Sequence, residues 1–157
     1  MERNELIKEI KRLGINNYEI TDHGVNIFED FFLNHRLDKF PFKVNVCSGH
    51  FNVARNEIKS FENFPNRILG DFHCGWNKIE SLENGPEYVG GDYYCYDIPI
   101  KTNYCETEII GGFHTTLTET GLEFIRPGSY VTTNYKQWVK HIKRKTILDK
   151  IYDKENF

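Results

Sequence analysis

Long apolar runs are missing from this 157-residue sequence, which also contains only one methionine and five prolines. Its apolar runs are a few residues long, such as Ile109-Ile110, whereas a membrane-spanning helix needs about 18 or more. Residues 1–5, with the sequence MERNE, lack the apolar core of a signal peptide. We therefore expect a cytoplasmic protein without membrane contact.

Sequence motifs of common enzyme classes are missing as well. The chain contains no GxxxxGK(S/T), GxGxxG, HExxH or GxSxG motif, and its carboxylates show no paired spacing. The four cysteines lack the CxxC pairs of a structural zinc site, and in a cytoplasmic chain they favour reduced thiols: Cys47, Cys74, Cys95 and Cys105. These absences predict a protein that is not an enzyme and holds no metal or cofactor.

Basic residues outnumber acidic ones over residues 136–150 but not over the rest of the chain. The net charge is −3, yet residues 136–150 carry six Lys or Arg against one acid, which leaves −8 for the rest of the chain. Composition therefore does not predict general affinity for nucleic acid. The proportions of 39% hydrophobic, 27% charged and 15% aromatic residues are typical of a folded protein and predict one domain over residues 1–157.

A repeat of 20 to 21 residues is the main pattern in the sequence. Segments of the form Gly-x-aromatic-x-small start at Gly49, Gly70 and Gly91, which are 21 residues apart, and a fourth starts 20 residues later at Gly111. The residues behind the first two segments also repeat at 21: Asn56-Glu57-Ile58 with Asn77-Lys78-Ile79, Ser60-Phe61 with Ser81-Leu82, and Pro65 with Pro86. With an earlier, more divergent unit, the array spans residues 25–117.

One unit fits the pattern LxxLxLxxNxL of leucine-rich repeats, as Leu69-x-x-Phe72-x-Cys74-x-x-Asn77-x-Ile79. The trailing Ser81-Leu82 and Pro86 resemble the short repeats of bacterial effector proteins. Two further patterns complete the likeness: an N-terminal hairpin pattern (Tyr18, Ile20, Val25, Ile27) and a Phe-Pro-Phe step (Phe40, Pro41, Phe42). Over about 100 residues, the chain thus resembles small leucine-rich-repeat proteins of tailed bacteriophages. The resemblance implies the fold, a viral origin and the host cytoplasm as location, and no catalytic residues.

A short repeat cannot bury its own apolar side, so successive units must stack and share one core. The pattern predicts an α+β repeat solenoid in which a parallel leucine-rich-repeat sheet has about four to five rungs. Three inward columns are expected: Phe51, Phe72, Tyr93 and Phe113; Val53, Cys74, Cys95 and Thr115; Ile58 and Ile79. Asn56 and Asn77 are expected inside, at the turn after the strand, where a carboxamide can bond backbone groups.

Elements at both ends of the array are expected to cover it. Residues 1–24 predict a helix from Glu5 to about Leu13, capped by Asn4 and stopped by Gly14, followed by a hairpin. The repeat decays after residue 96, and residues 97–110 are predicted to be a loop or hairpin. Residues 118–157 predict a C-terminal helical cap, because apolar residues recur at helical intervals over residues 135–152.

The candidate partner-binding residues alternate outward on the repeat strands: His50, Asn52, Arg55, Asp71, His73, Trp76, Asp92, Tyr94, Tyr96 and His114. Parallel stacking gathers such residues on one face. Trp, Tyr and Arg often anchor protein interfaces, so the face predicts protein recognition. The alternative is an ordinary solvated sheet face with binding elsewhere. A metal cluster or an acid/base dyad of His73 with Asp71 and Asp92 is a further, less specified reading.

The predicted function is a non-catalytic protein-binding module. The phage resemblance implies that it binds a host protein and inhibits or redirects it, with antiviral defence such as CRISPR–Cas as one possible target. The alternative is a nucleic-acid-associated protein that uses the basic C-terminal residues for contacts with phosphate or an acidic partner: Lys136, Lys140, Lys143, Arg144 and Lys145. Alternatively, these residues are only the polar face of a capping helix.

Overall fold

The computed structural model of the protein describes residues 1–100, 107–115 and 131–133. These form one helix and two six-stranded sheets. The helix is α1 (Arg3–Arg12). The first sheet contains, in spatial order, β1 (Tyr18–Thr21), β2 (Gly24–Ile27), β4 (Val44–Cys47), β6 (Arg67–Ile68), β8 (Tyr88–Val89) and β10 (Glu108–Ile109). The second contains β3 (Phe31–Phe32), β5 (Phe51–Asn52), β7 (Phe72–His73), β9 (Tyr93–Cys95), β11 (Phe113–Thr115) and β12 (Val131–Thr133).

The chain winds as a β-solenoid of about four turns. Each turn contributes one strand to each sheet, and successive strands pair in parallel from β2 to β10 and from β3 to β11. Antiparallel partners lie at one edge of each sheet, β1 beside β2 and β12 beside β11. The predicted repeat solenoid is therefore confirmed at the level of the fold.

The core lies between the two sheets and consists of stacked columns. The second sheet contributes the predicted inward rings, all fully buried: Phe51, Phe72, Tyr93 and Phe113. The predicted column beside it is buried too: Val53, Cys74, Cys95 and Thr115. The first sheet adds Ile27, Cys47, Ile68, Val89 and Ile109 in register. Aromatic rings from the connecting segments also pack against these columns: Phe64 lies edge-on to Phe51 and Phe72, and the Phe40 ring is tilted by 50° to that of Phe51.

Asn77 occupies the predicted position inside the turn that follows β7. Its Oδ1 accepts the N–H of Ile58 at 2.9 Å, and its Nδ2 donates to the carbonyls of Val53, Cys74 and Gly75 at 2.9, 3.1 and 3.2 Å. Asn56, one turn earlier, is half-buried and accepts the N–H of Leu37 at 2.8 Å. The repeated asparagine thus satisfies backbone groups that the sheets do not pair.

The N-terminal segment forms the predicted helix and hairpin, with one difference at the helix start. Helix α1 begins two residues before the predicted Glu5, so Asn4 lies within the helix and Glu2 occupies the N-cap without a side-chain hydrogen bond. Ile10 and Leu13 are buried in the core, and Gly14 adopts φ +75° where the helix stops. Strands β1 and β2 form the expected hairpin.

Two further sequence predictions are corrected, and one position of the repeat departs from the leucine-rich-repeat pattern. The solenoid has two parallel sheets instead of one, because each turn bends at Leu69–Asp71 and its equivalents and so holds two short strands. The first leucine of the repeat pattern, Leu69, is exposed, and its neighbour Ile68 enters the core instead. Residues 97–110 are not only a loop or hairpin, because β10 continues the first sheet within them and Ile100 is buried 21 residues after Ile79.

The predicted C-terminal helical cap over residues 118–157 lies outside the described residues, apart from β12. Strand β12 pairs antiparallel with β11, in the register Phe113 with Thr133 and Thr115 with Val131. The edge of the second sheet at that end is therefore covered by a strand of the same chain.

Candidate functional site

The outward surface of the second sheet gathers the predicted recognition residues on one face. Asn52 is in register with His73, His73 with Tyr94, and Tyr94 with His114. Their neighbours along each strand point inward as core rings, so these four side chains point outward by strand alternation. We call this surface the recognition face. Its placement on one sheet follows the sequence prediction.

Three rings of the recognition face form a continuous stack. The ring centroids of His73 and Tyr94 lie 4.2 Å apart and those of Tyr94 and His114 lie 4.4 Å apart, each pair with an interplanar angle of 12°. These separations are close to the spacing of about 4.8 Å between neighbouring strands. Because the parallel strands pair in register, the three rings come into contact without any bend of the backbone.

Asp92 fixes the stack from one side. Its Oδ2 accepts the hydroxyl of Tyr94 at 3.1 Å and lies 3.1 Å from Nε2 of His114, while its Oδ1 accepts the N–H of Gly112 at 2.7 Å. The Gly112 hydrogen bond, helped by His114 and Tyr94, lowers the pKa of Asp92 below its ordinary value. Burial and the bond to Asp92 raise the pKa of Tyr94 to about 12, so the phenol keeps its proton and its donor role.

A ladder of acceptors runs along the start of the second-sheet strands. Asp30 Oδ1 accepts the N–H of His50 at 2.8 Å, His50 Nδ1 accepts that of Asp71 at 2.9 Å, and Asp71 Oδ1 accepts that of Asp92 at 2.8 Å. Because Nδ1 of His50 accepts, its ring proton belongs on Nε2. The last step of the ladder is the hydrogen bond from the N–H of Gly112 to Oδ1 of Asp92. These side chains therefore satisfy backbone donors of the next turn.

The acid/base or metal reading of His73 finds no support in this geometry. Within the described residues, no hydrogen bond joins His73 to Asp71 or Asp92, whose carboxylates bond backbone N–H groups instead. Burial lowers the pKa of His73, with Asp71 opposing the shift, so its imidazole is neutral at pH 7. Within the part of the chain that the structure describes, no cluster of three or more His, Cys, Asp or Glu side chains is arranged to hold a metal ion.

The end of the recognition face carries an exposed corner formed by Arg55, Trp76 and Tyr96. The guanidinium carbon of Arg55 lies 4.6 Å from the centre of the Trp76 ring, and the Trp76 and Tyr96 ring centroids are 5.7 Å apart. Tyr96 in turn lies 6.1 Å from Tyr94, which connects the corner to the ring stack. The Trp76 side chain is 41% exposed although rings and a cation contact it.

Two groups were missed by sequence reasoning. Phe32 is 53% exposed on β3 and extends the recognition face by one turn beside Asn52. The pair Asp30-Phe31, which precedes it, matches Asp71-Phe72 and Asp92-Tyr93, and this match was the available signal. On the first sheet, the Arg67 guanidinium lies 4.3 Å from the centre of the Tyr88 ring, 21 residues along the chain.

The basic residues of the alternative nucleic-acid reading lie outside the described part of the chain: Lys136, Lys140, Lys143, Arg144 and Lys145. No described helix has the length and apolar character needed to cross a membrane. Comparisons with protein-family models, with curated proteins and with solved structures find no match for this chain. The geometry of the recognition face is therefore the basis of any functional proposal.

Proposed function

We propose that this chain is a non-catalytic protein-binding module and that its recognition face contacts the partner. The observation that carries the proposal is the ring stack of His73, Tyr94 and His114, held by Asp92. Hydrogen bonds and ring contacts fix these side chains before any partner binds. Binding through such a surface costs little side-chain entropy.

The composition of the face supports the same proposal. Binding hot spots in protein interfaces are enriched in Trp, Tyr and Arg, and the corner beside the stack presents all three, as Trp76, Tyr96 and Arg55. The acids of the face hold backbone groups of neighbouring turns, which favours a structural role for them over proton transfer. A stable scaffold that displays aromatic side chains is typical of recognition surfaces.

The finer part of the proposal rests on the resemblance of the repeat to leucine-rich-repeat proteins of tailed bacteriophages. We propose on that basis that the partner is a host protein in the host cytoplasm, which the module inhibits or redirects. An antiviral defence system such as CRISPR–Cas is one class of target. Binding of nucleic acid through the basic residues of positions 136–145 stays the alternative prediction. The experiment below distinguishes it from binding of a protein partner.

The test is affinity capture from host lysate with nuclease treatment at moderate salt. The wild-type protein is compared with Trp76→Ala/Tyr94→Ala on the recognition face and with Arg67→Ala/Tyr88→Ala on the first sheet. We expect a near-stoichiometric protein partner that survives nuclease, is lost with the first pair and is retained with the second. Equal retention by both variants contradicts the face assignment. Recovery of nucleic acid alone favours the alternative function.

A further inference from the structure

Two residues of the corner of Arg55, Trp76 and Tyr96 have an unusual backbone conformation. Arg55 and Trp76 adopt φ values of +60° and +52°, in the left-handed region where glycine is favoured over bulky residues. The equivalent residue of the next turn is Asp97, with φ +47°, and Asp adopts this conformation more readily. Packing alone therefore does not explain an exposed arginine and tryptophan at two consecutive turns.

No carboxylate of the described residues pairs with the Arg55 guanidinium. Among the described residues, no acid forms an ion pair with it and no acceptor takes its side-chain N–H groups, although it rests against Trp76. A nearby acid, Glu57, is already bridged by Arg36 and Lys78. The guanidinium is therefore available to a carboxylate from outside, which it can hold through two parallel N–H groups.

The surface beside Arg55 is aromatic. Trp76 contacts Tyr96, and Tyr96 contacts Tyr94, so an apolar side chain bound next to the guanidinium meets rings instead of polar groups. Resting on the proposed function, we infer that the corner binds a partner segment that places one acidic side chain on Arg55 and an adjacent apolar side chain against Trp76 and Tyr96.

The charge on the face disfavours a nucleic acid and leaves one cation of the described residues, Arg55, for a single carboxylate of a partner segment. Asp71, Asp92 and Asp97 lie on or beside the recognition face, whereas Arg55 is its cation among the described residues. Nucleic acid carries a phosphate at every nucleotide, and its binding needs several Lys or Arg contacts. A single carboxylate needs only one Lys or Arg contact. The arrangement thus fits an acidic side chain flanked by apolar residues.

The test is selection from a displayed library of random dodecapeptides against the folded protein, with counter-selection against the support without protein. We expect enriched peptides to share an acidic residue next to an apolar one. Fluorescence anisotropy of a synthetic enriched peptide should then give at least tenfold weaker binding to Arg55→Ala, a smaller loss for Arg55→Lys and no change for Arg67→Ala. Circular dichroism checks that each variant is folded.

Several outcomes overturn the inference. Failure to enrich any peptide over the counter-selection does so, as do enriched peptides without an acidic residue. Binding that Tyr94→Ala abolishes and Arg55→Ala leaves intact overturns the inference but retains the proposed function. Binding that neither substitution changes contradicts both. A labelled single-stranded 20-nucleotide DNA that binds the wild type and loses affinity with Arg55→Ala would replace the acidic peptide with nucleic acid.

Discussion

The carboxylate oxygen Oδ1 of Asp71 accepts the backbone N–H of Asp92, 21 residues later in the chain, at 2.8 Å. A Cβ atom placed on Gly91, the residue directly before Asp92, would lie 2.1 Å from that same oxygen. The next turn repeats the arrangement, since a Cβ on Gly111 would lie 2.1 Å from Oδ1 of Asp92. The Gly-Asp pair of the repeat is thus a joint between turns, in which glycine leaves space for the acid of the previous turn.

Removing the acceptor of this joint should destabilise the solenoid. Asp71→Ala leaves the Asp92 N–H without its charged acceptor, and we expect a loss of about 2 kcal/mol in the free energy of unfolding. Asp71→Asn retains Oδ1 as a neutral acceptor and should lose about half as much. Urea unfolding measures both. Equal losses for the two variants would show that the hydrogen bond is not what Asp71 contributes.

The 21-residue period predicted the core columns and the turn asparagine because every turn offers the same environment at these positions. Phe51, Phe72 and Tyr93 face the same neighbours one rung apart, so their recurrence in the sequence indicates burial directly. The repeat strands of the first sheet were not predicted, and three of them, β6, β8 and β10, are only two residues long. In a pair such as Ile68-Leu69, two apolar residues are adjacent, and alternation cannot tell which one points inward.

The sequence predicted most residues of the recognition face, except Phe32, but not the geometry of the face. Strand alternation places His73, Tyr94 and His114 outward, whereas the parallel stacking of their rings depends on side-chain rotamers. The rotamers of Tyr94 and His114 are fixed by the bonds to Asp92, a residue that the sequence marks only as polar, and His73 stacks on Tyr94. Strand β10 was not predicted, because the repeat places a proline every 21 residues, at Pro65 and Pro86, and the next such position holds Thr107 instead. Its hydroxyl donates to the Pro86 carbonyl at 2.6 Å.

The two turn asparagines should differ in their contribution to stability. Asn77 is 6% exposed and bonds four backbone groups, whereas Asn56 is half-buried and accepts the N–H of Leu37. We expect Asn77→Ala to cost about 3 kcal/mol and Asn56→Ala about 1 kcal/mol.

Asn77→Asp sharpens this comparison. An ionised oxygen would replace the Nδ2 group and face three carbonyl oxygens, so Asn77→Asp should be less stable than Asn77→Ala at pH 7 and recover stability on acidification, when a protonated carboxyl can donate. Urea unfolding at pH 5 and 7 checks the order. Similar losses at positions 56 and 77 would contradict the role assigned to the buried carboxamide.

Cys47 should make stability fall at alkaline pH. Burial raises the pKa of its thiol to about 11, against about 9 in the unfolded chain. Between these values the unfolded state releases the proton first, so the stability present below pH 9 is lost as the pH rises toward 11, by about 3 kcal/mol in all. The stability difference between wild type and Cys47→Ala should shrink by that amount from pH 8 to 11. Parallel pH profiles for the two proteins would rule out the linkage.

Trp76→Gly should separate stability from binding. Glycine relieves the left-handed backbone at φ +52°, a gain of about 1 kcal/mol. The variant loses the contacts with Arg55 and Tyr96, which together contribute about 1 to 2 kcal/mol. We therefore expect the free energy of unfolding to change by no more than about 1 kcal/mol, whereas Phe72→Ala in the core should lose about 3 kcal/mol or more.

The same variant should bind the captured partner at least about 30-fold more weakly, as expected for a hot-spot tryptophan. Asn84→Gly is the matched control, because Asn84 also has a positive φ, of +57°, but lies away from the recognition face. It should leave binding unchanged. A Trp76→Gly protein that loses several kcal/mol of stability would show that the tryptophan is held for packing. One that keeps full partner affinity would remove Trp76 from the interface, because its strained and exposed conformation would then have no role in binding.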